Sequence, residues 1–180
     1  MCIVIDTNTW SSVVDTSSAD HLEFKPVFDW IFGEGGNGKI VYGGTKYLEE
    51  TPHKYRKLLK LSMDRGRAKN VSTEEVDVCE SELKQKLQHP DFDDPHIVAI
   101  IIVSKCKLIC TNEVRAIPFF KDKNRILYPK RFTIPKIYHG ASNKDLLVNK
   151  NIAKICLPCL KTSKTTSKEM GVLIQNIVQK

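Results

Sequence analysis

The stretch Cys2-Ile-Val-Ile-Asp-Thr-Asn8 sets four apolar or weakly polar residues ahead of one acid and two turn formers. An apolar run without alternation reads as a strand buried on both faces, and such strands belong to parallel sheets covered by helices. With the strand over residues 3–6, Asp6 falls at its carboxyl end, where a β/α protein collects its ligands. The chain then repeats this grammar. Apolar residues at 22, 24, 27, 28, 31 and 32 follow helical spacing, with Pro26 near the first turn. Residues 40–42 make a second short strand. After Gly43-Gly44, Thr45 caps a helix over 45–50, which Pro52 restarts with Tyr55, Leu58, Leu59 and Met63 on one stripe. A third strand is expected over 70–72. A helix over 73–88 carries acids in its first turn and lysines near its end, as the helix dipole favours. Asp94 and Pro95 supply the cap and first position of a helix over 96–104. That helix is apolar almost all round and is therefore buried; His96 on it reads as a hydrogen-bonded structural histidine. A fourth strand over 108–111 leads to Asn112-Glu113. This alternation predicts an α/β fold: a three-layer α/β/α sandwich around a central, mainly parallel sheet.

Composition bounds the function. The 180 residues suffice for one domain with a proper core, at 41% hydrophobic and 27% charged residues. The longest apolar run, residues 97–103, is far short of the ~20 residues a membrane helix needs, so no membrane is expected. A strand stands at the start with no basic region or small-residue cleavage site around it, which predicts a cytoplasmic protein. The six cysteines then read as reduced, several of them as core residues. Cys156-Leu-Pro-Cys159 is the lone CxxC pair, and neither a second CxxC nor an HxxxH completes a zinc site. Net charge is +7, divided unevenly: residues 115–180 carry +11 and residues 1–114 carry −4. A basic last third beside an acidic body suits a polyanion approaching a metal-loaded pocket.

The four residues that matter most are Asp6, Glu50, Asp94 and Glu113, which this topology brings to one rim. Crowded carboxylates repel and raise one another's pKa, so their convergence predicts a hard divalent cation. Singly each has a duller role. Asp94 caps a helix, Glu50 lies on a solvated face, Asp6 caps a turn, and Glu113 offsets a helix dipole.

In order and context, the motifs resemble the PIN-domain family, small metal-dependent ribonucleases that include toxins of toxin–antitoxin pairs. The matching stretches are Val4-Ile-Asp6-Thr-Asn8, Gly43-Gly-Thr-Lys-Tyr-Leu-Glu-Glu50, Asp94-Pro-His-Ile-Val-Ala-Ile-Ile and Thr111-Asn-Glu113. The stretch from Phe120-Lys-Asp-Lys-Asn through Lys136-Ile-Tyr138 and Leu146-Leu147 is similar to one subgroup. Glu113 stands where the family usually has Asp. The register against the family selects Glu50 over Glu49 and Asp94 over Asp93. The resemblance implies a PIN-like nuclease domain over residues 1–148, leaving 149–180 as a basic, partly flexible C-terminal extension. A short amphipathic helix is expected there over 172–178. It also implies an endoribonuclease using Mg2+ or Mn2+, with RNA as substrate, and it admits a protein inhibitor (an antitoxin) and a homodimer as partners.

In that chemistry Asp6, Asp94 and Glu113 hold the ion directly or through water, and Glu50 holds a water or a second ion. Asn8 and Thr111 orient waters or phosphate through hydrogen bonds. Lys121, Lys123, Arg125, Lys130 and Arg131, interleaved with Phe119, Phe120, Tyr128 and Phe132, make a candidate RNA track. Two other readings remain open. One is a catalytically weak PIN-like module that binds RNA or protein. The other is phosphoryl transfer, disfavoured because its Asp-x-Asp pattern is here Asp6-Thr-Asn8.

Overall fold

The computed structural model describes residues 2–179. Strand β1 (Cys2–Ile5) is followed by a 3-10 turn and the short helix α1 (Trp10–Val14), then by α2 (His21–Phe32) and β2 (Lys39–Tyr42). Helices α3 (Thr45–Glu50) and α4 (His53–Asp64) flank Pro52, and β3 (Ala68–Asn70) follows. Next come α5 (Thr73–Lys86), α6 (Pro95–Ser104), β4 (Leu108–Cys110), α7 (Ile117–Lys121), β5 (Lys136–Tyr138) and α8 (Lys164–Val178).

The fold is α/β with one five-stranded sheet in the order β3-β2-β1-β4-β5, every pairing parallel. All residues of β1 and β4 are buried. Since successive strand residues point to opposite faces, both faces of the sheet centre are covered. The chain builds outward from β1 to β3, then crosses to β4 and β5 on the other side of β1. In such sheets ligands bind at the reversal point, which here lies at the carboxyl ends of β1 and β4. The Asp6 N–H donates to the Cys110 carbonyl at 2.9 Å and holds this edge together.

Several elements differ from expectation. Strand β3 spans 68–70 rather than 70–72, because the ladder to β2 pairs Ile40, Val41 and Tyr42 with Ala68, Lys69 and Asn70. Strand β5 was not anticipated. It is a three-residue edge strand that begins on exposed Lys136, so it lacks an apolar run. Helix α8 begins at Lys164, well before the expected 172. Ser163 caps it by accepting the Thr166 N–H at 3.1 Å; Met170 and Ile174 are buried, Leu173, Ile177 and Val178 are half-buried, and the first turns are polar. Within residues 149–179, expected as part of an extension, several residues pack on the body. Ala153, Cys156, Met170 and Ile174 belong to the same buried cluster as the sheet. All six cysteines are free, with Cys2, Cys106, Cys110 and Cys156 buried, as a reduced core requires. Among the described residues no helix is long and apolar enough to cross a membrane.

Candidate metal centre

Glu50 owes its position to the turn that starts α3. Gly44 has φ +84, and a Cβ there would lie 2.5 Å from Val76 Cγ1, so only glycine permits this turn. Thr45 does not cap the helix as expected. Asp77 on α5 does so instead, accepting the Thr45 N–H at 2.8 Å and its hydroxyl at 2.6 Å. Tyr47 then donates to the Ile5 carbonyl at 2.7 Å and ties α3 to the end of β1. Glu50, the last residue of α3, is thereby held over the rim, while Glu49 faces solvent.

Asp6 is fully buried. One carboxylate oxygen accepts the Thr111 hydroxyl at 2.6 Å and the other accepts the Asn8 N–H at 3.3 Å. Burial pushes its pKa up; those two hydrogen bonds oppose the rise, and Glu113 and Glu50 add to it. Thr111 also accepts the Glu113 N–H at 2.9 Å, so one hydroxyl links the ends of β1 and β4. The orienting group of Asn8 is its backbone; its side chain is exposed.

Asp94 is 7% exposed, yet its carboxylate does not cap the helix it precedes. It has no hydrogen-bond or ion-pair partner among the described residues. Its pKa is pushed up to about 7, first by burial and then by Asp6, Asp93, Glu50 and Glu113. The neighbouring Asp93 is exposed. Two residues on, His96 has a fully buried side chain, and burial pushes its pKa below the usual value against the pull of Glu50. Neither ring nitrogen makes a hydrogen bond. His96 Nε2 lies 3.2 Å from Glu50 Oε2, close but outside hydrogen-bond geometry. The sequence reading of a hydrogen-bonded histidine is therefore corrected: the residue is buried but not satisfied. The Glu50 side chain is 30% exposed; Lys46 Nζ is 3.1 Å from its Oε1, and the Thr7 hydroxyl donates to Oε2 at 3.4 Å.

One ligand atom each from Glu50, Asp94 and His96 lie within 4.8 Å of one another. Donors about 2.0–2.2 Å from a shared ion stand at most about 4.4 Å apart, so small side-chain rotations bring these three around one cation. The donor set, two carboxylates and an orphaned imidazole, fits a divalent ion; Asp6, expected as a ligand, lies outside this trio and acts on Asp94 through its charge.

Nothing among known proteins matches this chain, whether protein-family models, curated proteins or solved structures. The site is therefore read from its own geometry.

Glu113 stands apart from that trio. Its Oε1 accepts both the Nε–H and the backbone N–H of Arg115 at 3.1 Å, and Arg115 holds its pKa below the usual range. Its remaining link to Asp6 and Asp94 is electrostatic. The five basic residues do not form one track. Lys121 and Lys123 line a groove with His89 and Phe119. Lys130 and Arg131 line another with Lys105, Lys107 and Lys154, at the amino end of β4. Arg125 donates to the Phe132 carbonyl at 2.9 Å. Nor are the aromatics free platforms. Phe120 and Tyr128 are core residues, Phe132 stacks on Tyr128 at 5.2 Å, and Phe119 packs on His89 and Phe92.

Proposed function

We propose that this chain is a divalent-metal-dependent endoribonuclease of PIN type, hydrolysing RNA phosphodiester bonds at the carboxyl rim of its sheet with Mg2+ or Mn2+ as cofactor. The observation that carries this reading is Asp94. A helix-start aspartate that leaves its own helix uncapped, stays buried and sits beside two more carboxylates has no structural role to explain its placement. Asp6 and Asp94 would hold the ion, with Glu50 beside them. When bound, such an ion neutralises phosphate charge, favours deprotonation of water and stabilises the leaving oxygen. The chain supplies the rest. Thr111 and the Asn8 N–H fix the Asp6 carboxylate, and Glu50, open to solvent on one side, would hold a water or a second ion at the rim. The excess of positive charge over residues 115–180 suits a polyanionic substrate, although Lys130 and Arg131 lie at the amino end of β4, away from the rim.

The experiment is cleavage of a mixed single-stranded and structured RNA pool by purified protein in Mn2+, in Mg2+ and in EDTA, with Asp94→Asn run alongside. Metal-dependent cleavage absent from the variant is the expected result. Cleavage that survives in EDTA or in the variant would contradict the reading. One observation favours a second reading, a PIN-like module that binds RNA or protein with little catalysis: Glu113 is engaged by Arg115. RNA retention without cleavage under every condition selects it.

A further inference from the structure

Every carboxylate at the rim offers oxygen, yet the most deeply buried unsatisfied group there is a nitrogen base. His96 has a fully buried side chain, and both of its ring nitrogens lack a hydrogen-bond partner. A buried polar atom left unpaired costs roughly 1–3 kcal/mol, and native proteins rarely tolerate two on one side chain without a use for them. Apart from Glu50, the groups around it are engaged elsewhere. The nearest ring, Tyr47, is 6.3 Å away by centroid, and its hydroxyl is committed to the Ile5 carbonyl. Glu80 is paired with Lys84 at 2.6 Å. What His96 Nε2 faces is Glu50 Oε2 at 3.2 Å, with an Asp94 oxygen completing a triangle of donors inside 4.8 Å.

The backbone explains the convergence. Asp94 and His96 lie at the N-cap and second position of α6, so one turn presents both. Glu50 arrives from the end of α3, which packs on α6. The three donors thus come from two helices that the sheet edge holds in place, which keeps the triangle fixed without metal.

We infer that His96 is a nitrogen ligand in the rim site, so that the site takes a first-row transition ion in preference to Mg2+. Imidazole suits later first-row ions such as Fe2+, Ni2+ and Zn2+, whereas Mg2+ keeps oxygen ligands and waters. This deepens the metal-site reading and rests on it: the carboxylates alone would serve Mg2+, whereas a buried histidine among them tilts the choice.

The test uses the full chain, with Co2+ and Mg2+ as separate probes in calorimetric titrations and with His96→Gln compared at matched fold by circular dichroism. Co2+ should bind the natural protein at least tenfold more tightly than it binds His96→Gln, while Mg2+ affinity stays within about twofold; that ratio is what a packing role would not move. An equal loss for both ions, or no loss, overturns the inference and leaves the metal-site reading intact. Failure of both ions to bind the natural protein overturns the metal-site reading itself. If His96→Gln does not fold, the natural protein decides alone: nitrogen coupling in the pulsed electron paramagnetic resonance of bound Mn2+ supports the ligand, and its absence refutes it.

Discussion

The two ends of the sheet treat buried charge in opposite ways. At the amino end, just before β3, Arg67 is 5% exposed and donates to the Thr162 hydroxyl and the Leu160 carbonyl at 2.8 Å, and to the Gly36 carbonyl at 3.3 Å. That fan fastens the C-terminal segment to the body, and Lys39 adds a bond to the Pro158 carbonyl at 2.8 Å. At the carboxyl end, Asp94 is 7% exposed and His96 is fully buried, and neither the Asp94 carboxylate nor the His96 ring has a hydrogen-bond partner among the described residues. A charge taken out of water is tolerated when its hydrogen bonds are replaced and is costly when they are not. At the amino end Arg67 leaves Nε alone without a partner, whereas at the carboxyl end both His96 ring nitrogens lack one, a state that a bound cation would relieve.

The largest effect should come from undoing the amino end. Arg67→Ala strands three acceptors and a cavity, a loss of about 3 kcal/mol. For a chain of this size that lowers Tm by roughly 6–12 °C, which differential scanning calorimetry would read. A Tm unchanged by the substitution would erase the contrast between the two ends. The converse test is completion of the other end. Mn2+ at a hundredfold excess over its Kd should add about 2.7 kcal/mol, roughly 5–11 °C in Tm, to the natural protein and nothing to Asp94→Asn.

A smaller effect sharpens the comparison in EDTA. Because the folded-state pKa of Asp94 is raised from 3.8 to about 7, the folded protein keeps a proton that the unfolded chain releases between those values. Metal-free stability therefore falls as pH rises through that window. Asp94→Asn removes the charge, so thermal scans at neutral pH should show Tm raised by about 2–4 °C and its pH dependence flattened. A lower Tm would mean that the carboxylate stabilises the metal-free fold after all. The smallest change is expected from Arg115→Ala. The pair it breaks with Glu113 is exposed on the arginine side and contributes little to stability, so Tm should hold. Freeing the carboxylate should tighten Mn2+ binding by a few-fold in calorimetric titration; weaker binding would assign Arg115 a part in the site.

The same contrast explains what the sequence made legible. Buried strands and the apolar helix α6 announce themselves, because both faces of β1 and nearly all of α6 avoid water. Their ends then place Asp6 and Asp94 by arithmetic, and Gly43-Gly44 places Glu50. What stayed hidden depends on tertiary partners. Strand β5 is short and exposed at one end, and the first turns of α8 are polar, so β5 and the start of α8 have no pattern to read, whereas residues 172–178 do. Glu113 is diverted by a residue two positions on, a choice of rotamer that composition does not carry. His96 was hidden by its setting, since an apolar helix makes a core histidine the natural reading. The signal that could have found it is its spacing, two residues after Asp94 in the first turn of the same helix. The basic residues were grouped by sequence proximity, but a loop between α7 and β5 sends them to separate grooves.

The central claim, that the carboxyl rim is a cation site, is met most directly by titrating Mn2+ into the natural protein and into an Asp6→Asn/Asp94→Asn double variant in a calorimeter. Saturable binding to the natural protein that disappears in the folded double variant is the predicted result. Equal affinity for both proteins would contradict it.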